Sequence, residues 1–221
     1  MRFFVLAASA FGMAIPVWGW GKEGHKMTAA IAQILLPSAH RAVCSILPKD
    51  FNCSLASVAI WPDDVRRTEE WGWSRTLHFV NGIDDKPPKD CSFGTKGWGL
   101  PSDFHILSAV VNTTRRVNSS DSHGRNYSLS FLTHFLGDIH QPLHLNGHYT
   151  GGNEVPVLFG ERDISLHTVW DYDLVWQRIE SAESAGYSHP LQTSPGSNPA
   201  LDRNHQIEAA LNGLNYDPLI R

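Results

Sequence analysis

The 221-residue chain is 42% hydrophobic and 18% charged, the composition of a globular protein with a sizeable core, which excludes a disordered or membrane-built chain. Its formal charge of -4 excludes a broad basic surface for duplex nucleic acid, where Lys and Arg neutralising phosphates supply most of the affinity. Positive charge for a nucleic-acid substrate would have to come from bound metal.

Met1-Arg2 and the apolar run Phe3 to Ile15 have the charged start and short hydrophobic stretch of a secretory signal, too short for a membrane span. Val17 and Gly19 suit the -3 and -1 positions of a cleavage site. Residues 1–19 are therefore set apart as a signal peptide, with Trp20 as the mature N-terminus and export as the destination. Asn-x-Ser/Thr triplets at Asn52, Asn112, Asn118 and Asn126 agree with export, as candidate glycosylation sites. Of the three cysteines, Cys44 and Cys53 form the expected local disulfide, and Cys91 is left without a partner.

From Trp20 the apolar spacing predicts an amphipathic helix to about Leu36, and Pro37 opens the next element, a helix over 38–47. A third apolar run, Leu55 to Ile60, meets Pro62, which interrupts regular helix and places Asp63 at the break. Trp71 to Val80 is aromatic, and residues 83–101, rich in Gly, Pro and Lys, read as a long loop. Residues 102–117 are predicted helical with Ser102 as N-cap, and 118–126 as a polar loop. The stretch from Tyr127 carries His134 and Asp138 four apart on one helix face, and Pro142 bends the chain before His144. Residues 154–159 read as a short strand turned by Gly160, 164–179 as a helix holding His167 and Asp171, and 201–214 as a last helix after a loop. With neither an internal repeat nor a linker, residues 20–221 read as one domain.

A His-x3-Asp pair is weak on its own, since about 0.8 are expected by chance in a chain with this many His and Asp residues. The whole set decides more. His25, Asp63, His78, His134, Asp138, His144, His167 and Asp171 are imidazoles and carboxylates placed on helices or helix breaks, a ligand chemistry that suits zinc in catalytic sites. His140 reads as a partner that hydrogen-bonds one of the ligands. The other histidines read as structural or surface residues.

The motifs Trp20-x4-His25, Trp61-x-Asp63-x2-Arg66, Leu77-His78-Phe79, His134-Phe-x-Gly-Asp138-x-His-Gln-Pro-Leu-His144, Gly151-Gly-Asn153 and His167-x3-Asp171 resemble, in order, the secreted zinc-dependent single-strand nucleases of the S-one/P-one type, which include the plant bifunctional nucleases. The resemblance implies a mainly α single domain with a small β-hairpin and three Zn2+ ions per chain. Asp63, His78, His134 and Asp138 would hold the first ion. His144, His167 and Asp171 would hold the second, and the amino group and carbonyl of Trp20 with His25 and Asp138 the third. It also implies a monomeric endonuclease cutting single-stranded DNA and RNA to 5′-phosphate products, with 3′-nucleotidase activity. Asp63 and Arg66 would be catalytic, Arg66 meeting charge that grows on a phosphate oxygen, while Phe79 would stack an unpaired base and Asn153 hydrogen-bond its edge. Each of these last three has a plainer reading: an ion pair for Arg66, core packing for Phe79, a turn for Asn153. Asn81 stands where the family often carries an acidic residue that reads the base. The chain is also shorter at its C-terminus than the resemblance leads one to expect. Two other functions compete: a secreted phospholipase C, which shares the trinuclear architecture, and a non-catalytic zinc-stabilised protein. Trp20-x4-His25 and the closing Asp171 favour the nuclease.

Overall fold

In the computed structural model the described residues are 20–83, 89, 94–99 and 104–184. The expected signal peptide over residues 1–19, Cys91, the expected Ser102 cap and the helix expected over 201–214 lie outside them. The described residues are mainly helical: α1 (Lys22–Leu35), α2 (His40–Ile46), α3 (Leu55–Val58), α4 (Trp61–Val65), α5 (Ile106–Val117), α6 (Arg125–Asp138), α7 (Tyr149–Gly152), α8 (Leu166–Thr168) and α9 (Leu174–Ser184). Between them run 3-10 segments at Gly72–His78 and Pro142–Leu145, a π-turn at Val169–Asp173, and one antiparallel hairpin, β1 (Pro156–Phe159) with β2 (Arg162–Ser165).

Helix α6 lies at the centre because it has no polar side to give to water. Ser128, Leu129, Ser130, Phe131, His134, Phe135, Gly137 and Asp138 are all buried, and they spread around the helix rather than along one stripe. The packing follows: α1, α3, α4, α5 and the Gly72–His78 segment all touch α6. Its hydroxyls are satisfied internally, Ser128, Ser130 and Thr133 donating to carbonyls four residues back. On one flank Phe131 and Phe135 join Leu77, Val80, Ile106 and Ala109. On the other, Leu129 joins Val43, Leu47 and Val58. Truncating Phe135, 1% exposed, to Ala is expected to cost about 3–5 kcal/mol by leaving a cavity against the site.

Several boundaries differ from expectation. Helix α5 starts at Ile106, where His105 caps it: the His105 ring accepts from the Ser108 N–H and the Ser108 hydroxyl accepts from the His105 N–H. A reciprocal cap by the imidazole takes the place assigned to Ser102. The expected interruption is there, at Ala59 and Ile60, but Asp63 does not sit at it. Pro62 occupies the first turn of α4, where its missing N–H has no partner to lose, so Asp63 lies inside a helical turn. Ile164 and Ser165 belong to β2, not to a helix. Cross-strand pairing with Pro156 and Val157 overrides the helical reading, and the Ser165 hydroxyl, accepting from the Thr168 N–H, opens α8 instead.

Cys44 and Cys53 form the disulfide, with Cα atoms 4.5 Å apart. His40 lies beside it, but both sulfurs are consumed by the bond. Among the described residues no single helix is long and apolar enough to cross a membrane.

Candidate metal centre

The last turn of α6 supplies the hub. His134 and Asp138, four residues apart, are both fully buried. The Nδ1–H of His134 donates to the Ala59 carbonyl at 2.6 Å, which turns Nε2 toward Asp138 Oδ2 at 3.1 Å and Asp63 Oδ1 at 3.6 Å. His78, ending its 3-10 segment, brings Nδ1 to 3.0 Å from Asp138 Oδ2 and 3.7 Å from Asp63 Oδ1. From α1, His25 reaches the other oxygen, Asp138 Oδ1, at 3.2 Å, with its ring stacked 3.7 Å from that of His134. Gly137 makes room: a Cβ there would sit 2.6 Å from His25 Nδ1, so only glycine lets α1 approach this closely. Asp138 thus faces His78 and His134 with one oxygen, and with the other His25 and, at 3.5 Å, Nδ1 of His144.

The second group is built from turns. His144, in the Pro142–Leu145 segment, donates from Nδ1 to the His78 carbonyl at 2.8 Å, and its ring stacks 5.3 Å from that of His167. His167 donates from Nδ1 to the Gly151 carbonyl at 2.6 Å and presents Nε2 to Asp171 Oδ2 at 3.1 Å. That carbonyl is delivered by α7, whose residues Tyr149, Thr150, Gly151 and Gly152 all take positive φ, a costly left-handed turn held by its surroundings. Asp171 lies in the π-turn, a helix irregularity frequent at functional sites.

The imidazole nitrogens and carboxylate oxygens fall into three buried groups that could each hold a metal ion: His25, His134 and Asp138; Asp63, His78 and His134; His144, His167 and Asp171. Every metal-ligating side chain named from the sequence is therefore in one of them. Trp20, assigned through its main chain, is held alongside, since the N–H of its neighbour Gly21 donates to the Asp171 carbonyl at 2.8 Å.

This chemistry fits cations. Nδ1 and Nε2 of His25, Nε2 of His78, and one oxygen each of Asp63, Asp138 and Asp171 are buried without a hydrogen-bond partner, an arrangement costly unless something else satisfies them. Burial, reinforced by the neighbouring His134, lowers the pKa of His25, and burial lowers that of His78 to about 4, so both stand ready as neutral ligands. Burial would also lower His134, but Asp138 and Asp63 beside it more than reverse this and raise it. For Asp138 burial works upward and is overwhelmed by His134, His25 and His144, which hold the carboxyl well below its usual range. Asp171 is raised by burial, which the imidazoles of His167 and His144 and the amide of Gln141 only partly offset.

Arg66 is 5% exposed, and its Nε lies 3.2 Å from Asp63 Oδ1, so it forms a buried ion pair at the edge of the centre rather than a surface one. Phe79 follows His78 directly and is half-buried. The Asn153 side-chain N–H donates to the Thr150 carbonyl at 2.8 Å, the turn interaction. Asn81 backs against Gly147. Of the sequons, Asn52, Asn112 and Asn118 are exposed, while Asn126 is half-buried and the hydroxyl of its Ser128 is bonded to Gly124.

His140 does not hydrogen-bond a ligand. It is exposed and donates to the Leu136 carbonyl four residues back, because the chain is still turning helically after α6 and points that ring outward. The residue that does is its neighbour Gln141, fully buried, donating to Asp171 Oδ1 at 2.6 Å. A glutamine between two histidines carries no ligand signal in sequence, and the carbonyls of Ala59, His78 and Gly151 carry none at all.

Helices around a buried cluster of imidazoles and carboxylates, several of whose atoms lack a hydrogen-bond partner, define a helical protein with groups that could hold metal ions. The chain belongs to the S1/P1 Nuclease family, which matches residues 20–208. It is 34% identical over 182 residues to Endonuclease 3 of Arabidopsis thaliana, covering 78% of this chain and 58% of that one. It is 37% identical over 155 residues to Nuclease P1 of Penicillium citrinum (69% and 57%) and 34% identical over 215 residues to Endonuclease 2 of Arabidopsis thaliana (90% and 71%). The chain thus spans between 57% and 71% of the length of these relatives.

Proposed function

We propose that this chain is a secreted zinc-dependent endonuclease that hydrolyses single-stranded DNA and RNA to 5′-phosphate products and also acts on 3′-nucleotides. The observation that carries the reading is the convergence of eight buried His and Asp residues into three groups, with buried atoms left without hydrogen-bond partners, in a member of this family. The first ion would be held by Asp63, His78, His134 and Asp138, the second by His144, His167 and Asp171, and the third by the Trp20 main chain, His25 and Asp138. Zinc in such a centre supplies positive charge at the scissile phosphate and makes hydroxide available near neutral pH.

The protein's own groups do the rest. Burial keeps the His25 and His78 imidazoles neutral, and the carbonyls of Ala59, His78 and Gly151 hold the rings of His134, His144 and His167 in fixed tautomers, with Nε2 of His134 turned toward Asp138 and Nε2 of His167 toward Asp171. Arg66, anchored by Asp63, binds a phosphate oxygen and opposes the charge that grows there. Phe79 stacks a base that has left its duplex partner. Asn153 would read that base with its carbonyl oxygen, as its N–H group is engaged by Thr150. Export rests on the N-terminal segment, the exposed sequons and the Cys44–Cys53 disulfide.

The test is the purified mature chain, metal-analysed, on single-stranded DNA, duplex DNA and phosphatidylcholine. Cleavage of single strands far faster than duplex, abolished by chelation and restored by zinc, supports the reading. Equal rates on both DNAs refute the single-strand preference, and hydrolysis of the lipid alone moves the chain to the phospholipase class.

A further inference from the structure

The amide of Gln141 bonds at both ends. Its Nε2–H donates to Asp171 Oδ1 at 2.6 Å, its Oε1 accepts from the Leu143 N–H at 2.6 Å, and the residue has no exposure to solvent. The second bond caps the 3-10 segment that carries His144. The first holds one oxygen of Asp171, while the other, Oδ2, faces His167 and is left with no hydrogen-bond partner. One side chain therefore sets both His144 and Asp171.

We propose that Gln141 determines which cation the His144, His167 and Asp171 group accepts, by tying up Oδ1 so that Asp171 offers a single oxygen. This rests on the reading above that the group holds a divalent ion. The chemistry behind it is general: calcium reaches six to eight oxygen ligands, often with both oxygens of a carboxylate, whereas zinc is satisfied by few ligands from mixed imidazole and carboxylate sets. An amide suits the task because its donor cannot lose a proton, so Oδ1 stays occupied over the whole working pH range. A glutamate in its place would keep the acceptor for Leu143 but set a second carboxyl against Asp171. Gln141 is thus a positioning residue, acting on the ion through Asp171.

The test compares the metal-stripped mature chain with Gln141→Met, which keeps bulk but removes both bonds, and Gln141→Glu, which keeps the Leu143 bond. Zinc and calcium affinities are measured by competition with chelators. The expected result is that one zinc equivalent weakens by about 10–100-fold in both variants while the others hold, and that calcium at that site does not weaken in step. The zinc-to-calcium preference then falls at least about tenfold. In a His167→Ala background, Gln141→Met should add little, because the two share one ion. Unchanged zinc affinity, or loss of zinc and calcium by the same factor, overturns the selectivity role and leaves Gln141 as a cap. Should Gln141→Met fail to fold, Gln141→Glu decides alone. A wild-type chain that takes up no zinc overturns the metal reading itself, an outcome distinct from the other two.

Discussion

The groups around Asp138 and Asp171 use the same side chains but are assembled in opposite ways. Around Asp138, residues from α1, α4, the Gly72–His78 segment and α6 are gathered by long-range packing, and one carboxylate faces four imidazoles, those of His25, His78 and His134 and, at 3.5 Å, that of His144. Around Asp171, the residues come from turns between 141 and 171, where Gln141 bonds Asp171 and His167 bonds the Gly151 carbonyl while His144 alone is pinned from afar, by the His78 carbonyl, and the carboxylate serves one imidazole directly. The electrostatics separate accordingly. Imidazoles on both of its oxygens hold Asp138 well below its usual pKa, while burial wins over the partners of Asp171 and raises it. A shared carboxylate makes metal sites interdependent, whereas an unshared one leaves its site to be gained or lost alone.

The largest effect is expected from Asp138→Ala, which strips the carboxylate from His25, His78 and His134 together. More than one zinc equivalent and nearly all activity should go, with roughly 3–5 kcal/mol of stability, readable by elemental analysis and denaturant titration. Loss of one equivalent only would break the contrast between the two groups. Next comes the N-terminus. Met or Gly-Ser placed ahead of Trp20 turns its amine, of reference pKa about 8, into an amide without a basic lone pair, so about one equivalent should be lost while His144, His167 and Asp171 keep theirs. Proteolytic restoration of Trp20 should recover metal and activity. An extended chain with full zinc and full activity refutes the N-terminal ligand.

His144→Ala should remove one equivalent and spare the Asp138 group. Arg66→Ala should lower turnover by about 10²–10³-fold at unchanged zinc, whereas Phe79→Ala should raise KM on single strands more than it lowers kcat. Zinc loss in Arg66→Ala would make that ion pair structural. The smallest effect is one of pH on the metal-free chain. The folded pKa of His78, about 4, lies below its unfolded value of about 6.5, so the unfolded state takes up the proton first. Its contribution is full above about pH 6.5 and is lost as pH falls toward 4, His25 acting in the same sense and His134, raised, in the opposite one. Denaturant midpoints at pH 7.5 and 5 check this, and a midpoint higher at pH 5 would mean that His134 dominates.

Read as a string, the chain determined which His and Asp residues are candidate ligands, because helix periodicity alone brings His134 and Asp138 to one face and the ordered motifs supply the rest. The local disulfide, the first helix and strand β1 were legible for the same reason: each depends on neighbours in sequence. Four things were not. The cap of α5 by His105, the pairing of Ile164 and Ser165 into β2 and the outward turn of His140 use partners within one turn or one hairpin, but competing local preferences worth at most about 1 kcal/mol per residue left the choice open in the sequence. The grip of Gln141 on Asp171, buried and reaching across 30 residues, was decided only by tertiary structure. Which oxygen of a carboxylate faces which imidazole is a property of packing, and no spacing of letters contains it.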